Sequence, residues 1–359
     1  MSCSSPFRYA FSLCGLVITI AVPQAQEPAR AASARHHLVV MGYRDGGFED
    51  CFKTAVIAPF QATHPDISVT YYGVDGASDE LGLLRMQKDA PQVDVVITDI
   101  SVANIMAREA LIQAPATPPV NLVHLGRRGR ELGAIAPPFT YDYLALTYAR
   151  PLFPQPPDSW RALWDKAWSG QIIVPAEGGG DIQALSLTLI ATHLAGGDIA
   201  GDNAQGIDSL VRLAPHVQTF EPHPDQFTLV TNGTAALAVG WNARAQHMAH
   251  LFPDRLGVVL PREGTVTQIN VIALIAGGHD PEASALFENE ALGASAQTRF
   301  SGAMYYVPTN QDATPPADLL AEITPAESHL LPVNWLDVSH MRRRLLRRWK
   351  HEILVAGQE

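Results

Sequence analysis

Short apolar runs alternate with amphipathic stretches along this chain. Residues 37–41, His-Leu-Val-Val-Met, read as a strand, and Gly42 to Gly47 as the loop after it. Phe48, Cys51, Phe52, Ala55, Val56 and Phe60 recur at helical spacing, with Pro59 and Pro65 expected to end the helix. Residues 67–74 read as a second strand. Leu81, Leu84 and Met86 belong to a second helix. Residues 94–98 form a third strand that runs into Asp99, Ile100 and Ser101. This β-α-β-α-β order predicts a parallel sheet with helices on both faces. Ligands of such sheets sit at the carboxyl ends of strands, where the loops 43–47 and 99–101 fall.

Pro137 and Pro138 mark a break. Residues 143–148 alternate as a strand does, and Pro151, Pro154, Pro156 and Pro157 make a stiff connector. A second α/β unit follows. It comprises a strand at 171–174, helices at 181–195 and 204–213, and a strand at 235–240. A helix at 242–250 and strands at 256–260 and 268–276 complete it. Two α/β lobes joined by extended segments enclose a cleft, where small molecules usually bind.

The length of 359 residues fits two lobes better than one core. With 47% hydrophobic and 17% charged residues the chain is globular, neither disordered nor fibrous. The net charge of −11 argues against a nucleic-acid-binding body. Of 25 bases and 36 acids, 8 bases and 3 acids lie outside residues 35–340, which leaves the body at −16. Six of those bases crowd residues 341–359, read as a solvated helix face with Leu345, Leu346 and Trp349 as its packing residues.

Residues 1–34 read as a signal peptide and short linker. Arg8 is followed by an apolar run, Tyr9 to Val22, and by small residues including Ala32-Ser33-Ala34. Cleavage near Ala25 would fit the usual spacing from the apolar run better, and both sites stay open. Cys3 and Cys14 leave with this leader, so Cys51 is alone in the exported protein, without a disulfide partner. It is read as a small buried hydrophobe. The expected location is the periplasm.

No Gly-x-Ser-x-Gly elbow, His-Glu-x-x-His, Walker loop or dinucleotide fingerprint occurs. Gly178-Gly179-Gly180-Asp181 follows a strand and opens a helix. It suits a polar or anionic ligand group, or simply a helix cap by Asp181. His247 and His250 lie three apart on one helix without further ligands nearby and are read as solvated. Tyr71 and Tyr72 are read as packing. Asn232-Gly233-Thr234 is read as a turn. No cofactor or metal is expected, and the protein is read as not an enzyme.

Several segments, in order, resemble the bacterial extracellular solute-binding proteins of the spermidine/putrescine-binding type. They are Gly46-Gly47-Phe48-Glu49-Asp50 with Ala58-Pro59-Phe60, then residues 87–96, Asp158-Ser159-Trp160, Val239-Gly240-Trp241-Asn242-Ala243-Arg244, Leu260-Pro261-Arg262-Glu263-Gly264-Thr265 and Tyr306-Val307-Pro308-Thr309-Asn310. The resemblance implies an α/β, two-lobe periplasmic binding protein fold of type II. Each lobe is then a mostly parallel sheet flanked by helices, with a hinge cleft. Lobe one would comprise residues 35–140 plus 269–315, and lobe two residues 141–268 plus 316–359. The partners implied are a small-molecule solute and an inner-membrane ABC permease, and the protein is expected to be a monomer. A ferric-ion binder of the same fold, or an exported α/β enzyme, are the alternatives.

By the same resemblance the ligand contacts are Tyr43, Arg44 and Asp45 in the first loop, and Asp99 and Ser101 in the second. Tyr141, Asp181, Trp241, Asn242 and Tyr306 join them. Aromatic faces and carboxylates suit an amine. The departures are Gln268 where polyamine binders carry an aromatic, Asn270 where they carry the key acid, and Gly178 where they carry another. Arg44, with Arg244 as second candidate, suits a carboxylate or phosphonate, or pairs with cleft acids. The expected solute is therefore a small amine-containing one, polyamine-like or zwitterionic.

Overall fold

The computed structural model describes residues 35–44, 47–177 and 179–358. The expected leader, Asp45 and Gly178 lie outside them. Strand β1 (His36–Tyr43) pairs in parallel with β2 (Ile67–Val74) and β3 (Val95–Asp99). β3 is buried throughout, which fits a strand covered on both faces.

The helix between β1 and β2 does not end at Pro59. It runs as α1 (Phe48–Phe52), a π-helical turn (Lys53–Ile57) and α2 (Ala58–Thr63). A proline lacks the N–H that would bond the carbonyl four residues back, and its ring crowds that carbonyl. The carbonyl concerned is that of Ala55. The wider π-turn makes room, and Arg299 Nε donates to the Ala55 oxygen at 2.9 Å. A missing backbone donor is thus replaced by a side chain from a distant helix.

Helices α3 (Ala77–Met86) and α4 (Ile100–Arg108) follow β2 and β3, and β4 (Ile112–Gln113) ends this unit. The chain then enters β5 (Pro138–Ala149), twelve residues long and buried at every position. The second unit contains β6 (Ile172–Ile173), α5 (Asp181–Leu194), α6 (Ala204–Leu213), β7 (Val217–Thr219), α7 (Gln226–Thr231), β8 (Leu237–Trp241), α8 (Asn242–Leu251) and β9 (Leu256–Val259). The chain returns through β10 (Thr267–Ile275), α9 (Pro281–Ala291), α10 (Ala294–Met304) and β11 (Val307–Pro308). Helices α11 (Ala317–Ile323) and α12 (Trp335–Arg348) close it.

The strand order is β2-β1-β3-β10-β5-β8-β6-β7, with β4 on β10 and both β9 and β11 on β5. β5 is the shared member. Residues 138–143 pair with β10, and residues 144–149 pair with β8 and β9. Pairing is parallel at β1–β2, β1–β3, β6–β7 and β6–β8, and antiparallel where β5 and β10 are involved. This is the two-lobe periplasmic binding protein fold, with β5 and the return segment 260–266 crossing between the lobes. An aromatic cluster of Phe48, Phe52, Phe60, Phe139, Phe287 and Phe300 fills the core beside β1. Among the described residues no helix is long and apolar enough to cross a membrane.

The Ala55 carbonyl gives a direct test. Arg299→Met keeps the aliphatic stem and removes the donor. It should lower unfolding stability by about 1 kcal/mol in urea titration, with an unchanged m value.

Candidate functional site

The carboxyl ends of β1, β6 and β8 and the N-terminal turns of α1, α3, α5, α7 and α8 surround one cavity of about 360 Å³. That volume suits a small metabolite. Of the residues expected at a site, Tyr43, Asp181, Trp241, Gln268 and Tyr306 line it, together with Arg244. Asp45 lies outside the described residues.

Tyr43 stands at the end of β1. Its ring meets Phe48 edge-on at 5.4 Å, and Phe48 meets Tyr306 edge-on at 6.0 Å. Trp241 ends β8 on the other side. Burial pushes the phenols of Tyr43 and Tyr306 above their ordinary range, so both stay neutral. Tyr43 Oη donates to Asn270 Oδ1 at 3.2 Å, and Gln268 Nε2 donates to the same oxygen at 3.2 Å. Asn270 Nδ2 in turn donates to Thr140 Oγ1 at 3.0 Å. Asn270 is therefore a fully buried support beneath the cavity and not part of its lining. The network fixes Gln268 so that its buried Oε1 has no hydrogen-bond partner among the described residues.

The acids take roles that the sequence reading did not give them. Asp99 is the N-cap of α4, its Oδ1 accepting from Ser101 N at 2.9 Å and Val102 N at 3.1 Å. Its other oxygen lies 3.6 Å from Arg342 Nη1. Ser101 Oγ accepts from the same nitrogen at 3.0 Å. Asp181 is the first residue of α5; the N-cap is Gly180, which has no side chain to cap with. Asp181 Oδ2 accepts from Arg342 Nη2 and from Ser78 Oγ. Both carboxylates expected to meet an amine thus hold a guanidinium of the protein itself. Asp99 and Ser101 do not line the cavity, because Arg342 packs against them.

Arg342 belongs to α12 and is 4% exposed, so it is not on the solvated face where the basic tail was expected to lie. Burial alone would lower its pKa; the Asp99 and Asp181 charges reverse this and hold it above its ordinary value. Glu80, on α3, is fully buried beside them. Burial pushes its carboxyl well up, and the nearby Asp99 and Asp181 charges add to the rise.

Three other expected contacts point elsewhere. Arg44 is over half exposed, pairs with Asp75 at 3.0 Å and donates to the Gly73 carbonyl at 2.6 Å. Tyr141 Oη is consumed by the Arg128 carbonyl at 2.6 Å. Asn242 is buried at the start of α8, where its Oδ1 accepts from Gln246 at 3.2 Å. By contrast Arg244, in the first turn of α8, has no carboxylate partner among the described residues. Its one polar contact there is His247 Nδ1 at 3.2 Å. An arginine at this end of a helix opposes the helix dipole, and the uncapped first turn of α5 adds open N–H groups to the same cavity. Arg244 and these N–H groups stand in a lining that also carries Asp75, Glu177, Asp181, Glu221 and Asp225.

Two features were missed in the sequence. One is Arg342. It shares the 338–342–345–349 stripe with Val338, Leu345 and Trp349, and that spacing was the available signal. The other is Asp142 in β5, whose Oδ1 accepts from Tyr143 N at 2.7 Å and from Ala243 N at 2.9 Å. It caps α8 and so supports Trp241 and Arg244. Nothing in the sequence near Asp142 marked this, since its partner is 101 residues away. Burial raises its carboxyl from 3.8 to about 7.

The walls touch across the cavity mouth. Gly179 has φ +95°, and a Cβ on it would lie 2.4 Å from the Asp75 carbonyl oxygen. A Cβ on Gly76 would lie 3.1 Å from Gly179 Cα. On the opposite side Tyr305 sits between His247 and His250, with ring centroids 5.5 and 5.3 Å apart.

The family described as bacterial extracellular solute-binding protein matches residues 55–324. No curated protein matches this chain in sequence. Solved structures with the same fold include the periplasmic binding protein AfuA of Actinobacillus pleuropneumoniae with fructose-6-phosphate bound. It is 17% identical with a TM-score of 0.74, over 89% of this chain and 99% of that one. A GABA receptor is 17% identical with a TM-score of 0.72, over 88% and 97%. The spermidine/putrescine-binding PotD of Streptococcus pneumoniae is 15% identical with a TM-score of 0.69, over 89% and 99%.

Two measurements follow from the geometry. Gly179→Ala puts a methyl group into the Asp75 carbonyl at a positive φ, so the walls should part. Small-angle scattering should show a larger radius of gyration, and ligand affinity should fall by about tenfold or more, roughly 1.4 kcal/mol. For Asp142, the folded protein holds a proton between pH 3.8 and about 7 that the unfolded chain releases. The stability from the neutral carboxyl is full at low pH and is lost as pH rises through about 7. Asp142→Asn should flatten that dependence and raise unfolding stability at pH 8 by about 2–4 kcal/mol in urea titration.

Proposed function

The chain belongs to the bacterial extracellular solute-binding proteins, and from that premise we propose that it is the periplasmic solute-capturing component of an ABC importer. It takes a small zwitterionic organic solute, one amine group and one anionic head, into the cleft between its lobes. The observation that carries this reading is the division of charge around the cavity. Asp99 and Asp181 are occupied by Arg342, while Arg244 faces the cavity with no carboxylate partner among the described residues. A polyamine would find Asp99 and one oxygen of Asp181 already engaged by Arg342. An anionic head would find a guanidinium and the open first turn of α5.

The amine end has its own partners. Trp241, Tyr43 and Tyr306 offer aromatic faces, each worth roughly 0.5–2 kcal/mol to a cation. Gln268 Oε1 needs a donor, and an ammonium group supplies one. The rim carboxylates Glu177 and Glu221 add an acidic surround. Residues 35–140 plus 269–315 form one lobe and 141–268 the other, while α12 packs on both α4 and α5. The lobes close over the solute, and the closed form is presented to the permease. The role is capture, not catalysis.

Metal capture is the second reading of this fold. Among the described residues no group of three or more His, Cys, Asp or Glu is placed to hold a metal ion.

Native mass spectrometry of freshly purified protein, followed by thermal shift with polyamines, amino acids, opine-like compounds and phosphonates, tests the proposal. Zwitterions should raise the melting temperature and polyamines should not. A larger shift with putrescine or spermidine would overturn the reading. Arg244→Gln should weaken binding of the identified solute by about 10- to 100-fold, roughly 1.4–2.8 kcal/mol, without changing the unliganded melting temperature.

A further inference from the structure

Arg342 reaches the cavity wall from outside both lobes' strand ends. Its helix, α12, packs against α4 and α5. The guanidinium enters between them and meets Asp99 and Ser101 on one side and Asp181 and Ser78 on the other. Asp181 itself lines the cavity, so the guanidinium lies one carboxylate behind the ligand space. The arrangement has the form of a bound organic cation: a planar donor group, two carboxylates, two hydroxyls and almost complete exclusion of water.

We propose that Arg342 is a built-in cation that sets specificity, filling from behind the wall the place between Asp99 and Asp181 where a second cationic group of a solute would bind. The inference rests on the cleft being the solute site, and it deepens that reading by naming what excludes polyamines. Charge balance supports it. Asp99 and Asp181 set two carboxylates against the one guanidinium of Arg342, a single net negative charge from the three groups. Without Arg342 this part of the wall would hold two, beside a hole of guanidinium size. Asp181 Oδ1 already lacks a hydrogen-bond partner among the described residues and would turn to whatever cation entered.

The test is a gain of binding, which a purely structural role for Arg342 would not produce. Arg342→Ala in the full chain should acquire saturable binding of methylguanidinium and of putrescine. Its melting temperature should rise by about 2 °C at ~10-fold excess over the dissociation constant. Wild type and Arg342→Lys should show no such rise. Adding Asp181→Asn to Arg342→Ala should weaken the new binding by about fivefold or more, since one of two carboxylates is lost. A folded Arg342→Ala protein that binds neither cation up to about 50 mM would overturn the proposal. If the variant does not fold alone, recovery of folded protein on refolding with methylguanidinium, but not with tetramethylammonium, supports it; no recovery overturns it. Failure to find any solute for the wild type would sink the functional reading and leave the gain of cation binding intact, so the two failures are distinguishable.

Discussion

A guanidinium that is 4% exposed must be paired, because an uncompensated buried charge costs several kcal/mol. That requirement organises this cleft. Arg342 can be paired only if α12, α4 and the first turn of α5 come together, since its partners Asp99 and Asp181 are supplied by different elements. The pair therefore ties the C-terminal helix to both walls. It also decides what the walls can offer a ligand. Asp99 and one oxygen of Asp181 are already engaged by Arg342, while Arg244 has no carboxylate partner among the described residues.

The acidity of the chain acquires a different meaning in this light. Six helix N-termini gather at the strand ends, and each brings unpaired N–H groups and a positive dipole end. Asp99 caps α4, Asp142 caps α8 and Asp225 caps α7, with Asp225 Oδ1 accepting from Thr228 N at 2.9 Å. Each of these acids answers backbone N–H groups of a helix start. Part of the body's negative charge is thus spent on helix ends. Bulk charge is a sum over many such local pairings, so it carries little information about the charge of the solute.

The regular elements were legible because their signals are local. The β1-helix-β2-helix-β3 order, the helices at 181 and 204 and the strands near 237, 256 and 268 follow from periodicity over ten or fewer residues. Tyr43, Trp241 and Tyr306 were found through ordered motifs resembling a known family. Pro59 was misread because a helix breaker is judged from its own chain, whereas the donor that rescues Ala55 comes from Arg299. Arg342 was misread for a related reason. A run of six bases looks solvated, and only the position of one of them on the Val338–Leu345–Trp349 stripe sets it apart. Asp142, Asn270 and Gln268 act through partners on other strands, so their roles are fixed by register, which the sequence does not display.

The strand β5 links these observations. Its residues 138–143 belong to one sheet and 144–149 to the other, and the changeover falls beside Asp142. The same residue pairs in register with Gln268 and caps the helix that carries Arg244. The floor of the cavity, the wall that carries Arg244 and the strand shared by the two sheets are thus joined within one hydrogen-bonded unit. A ligand that pulls on Gln268 and Arg244 together acts on both sides of the crossing strand. In the function proposed here, the groups that would touch the solute are anchored to β5, so closure and binding would need no separate relay.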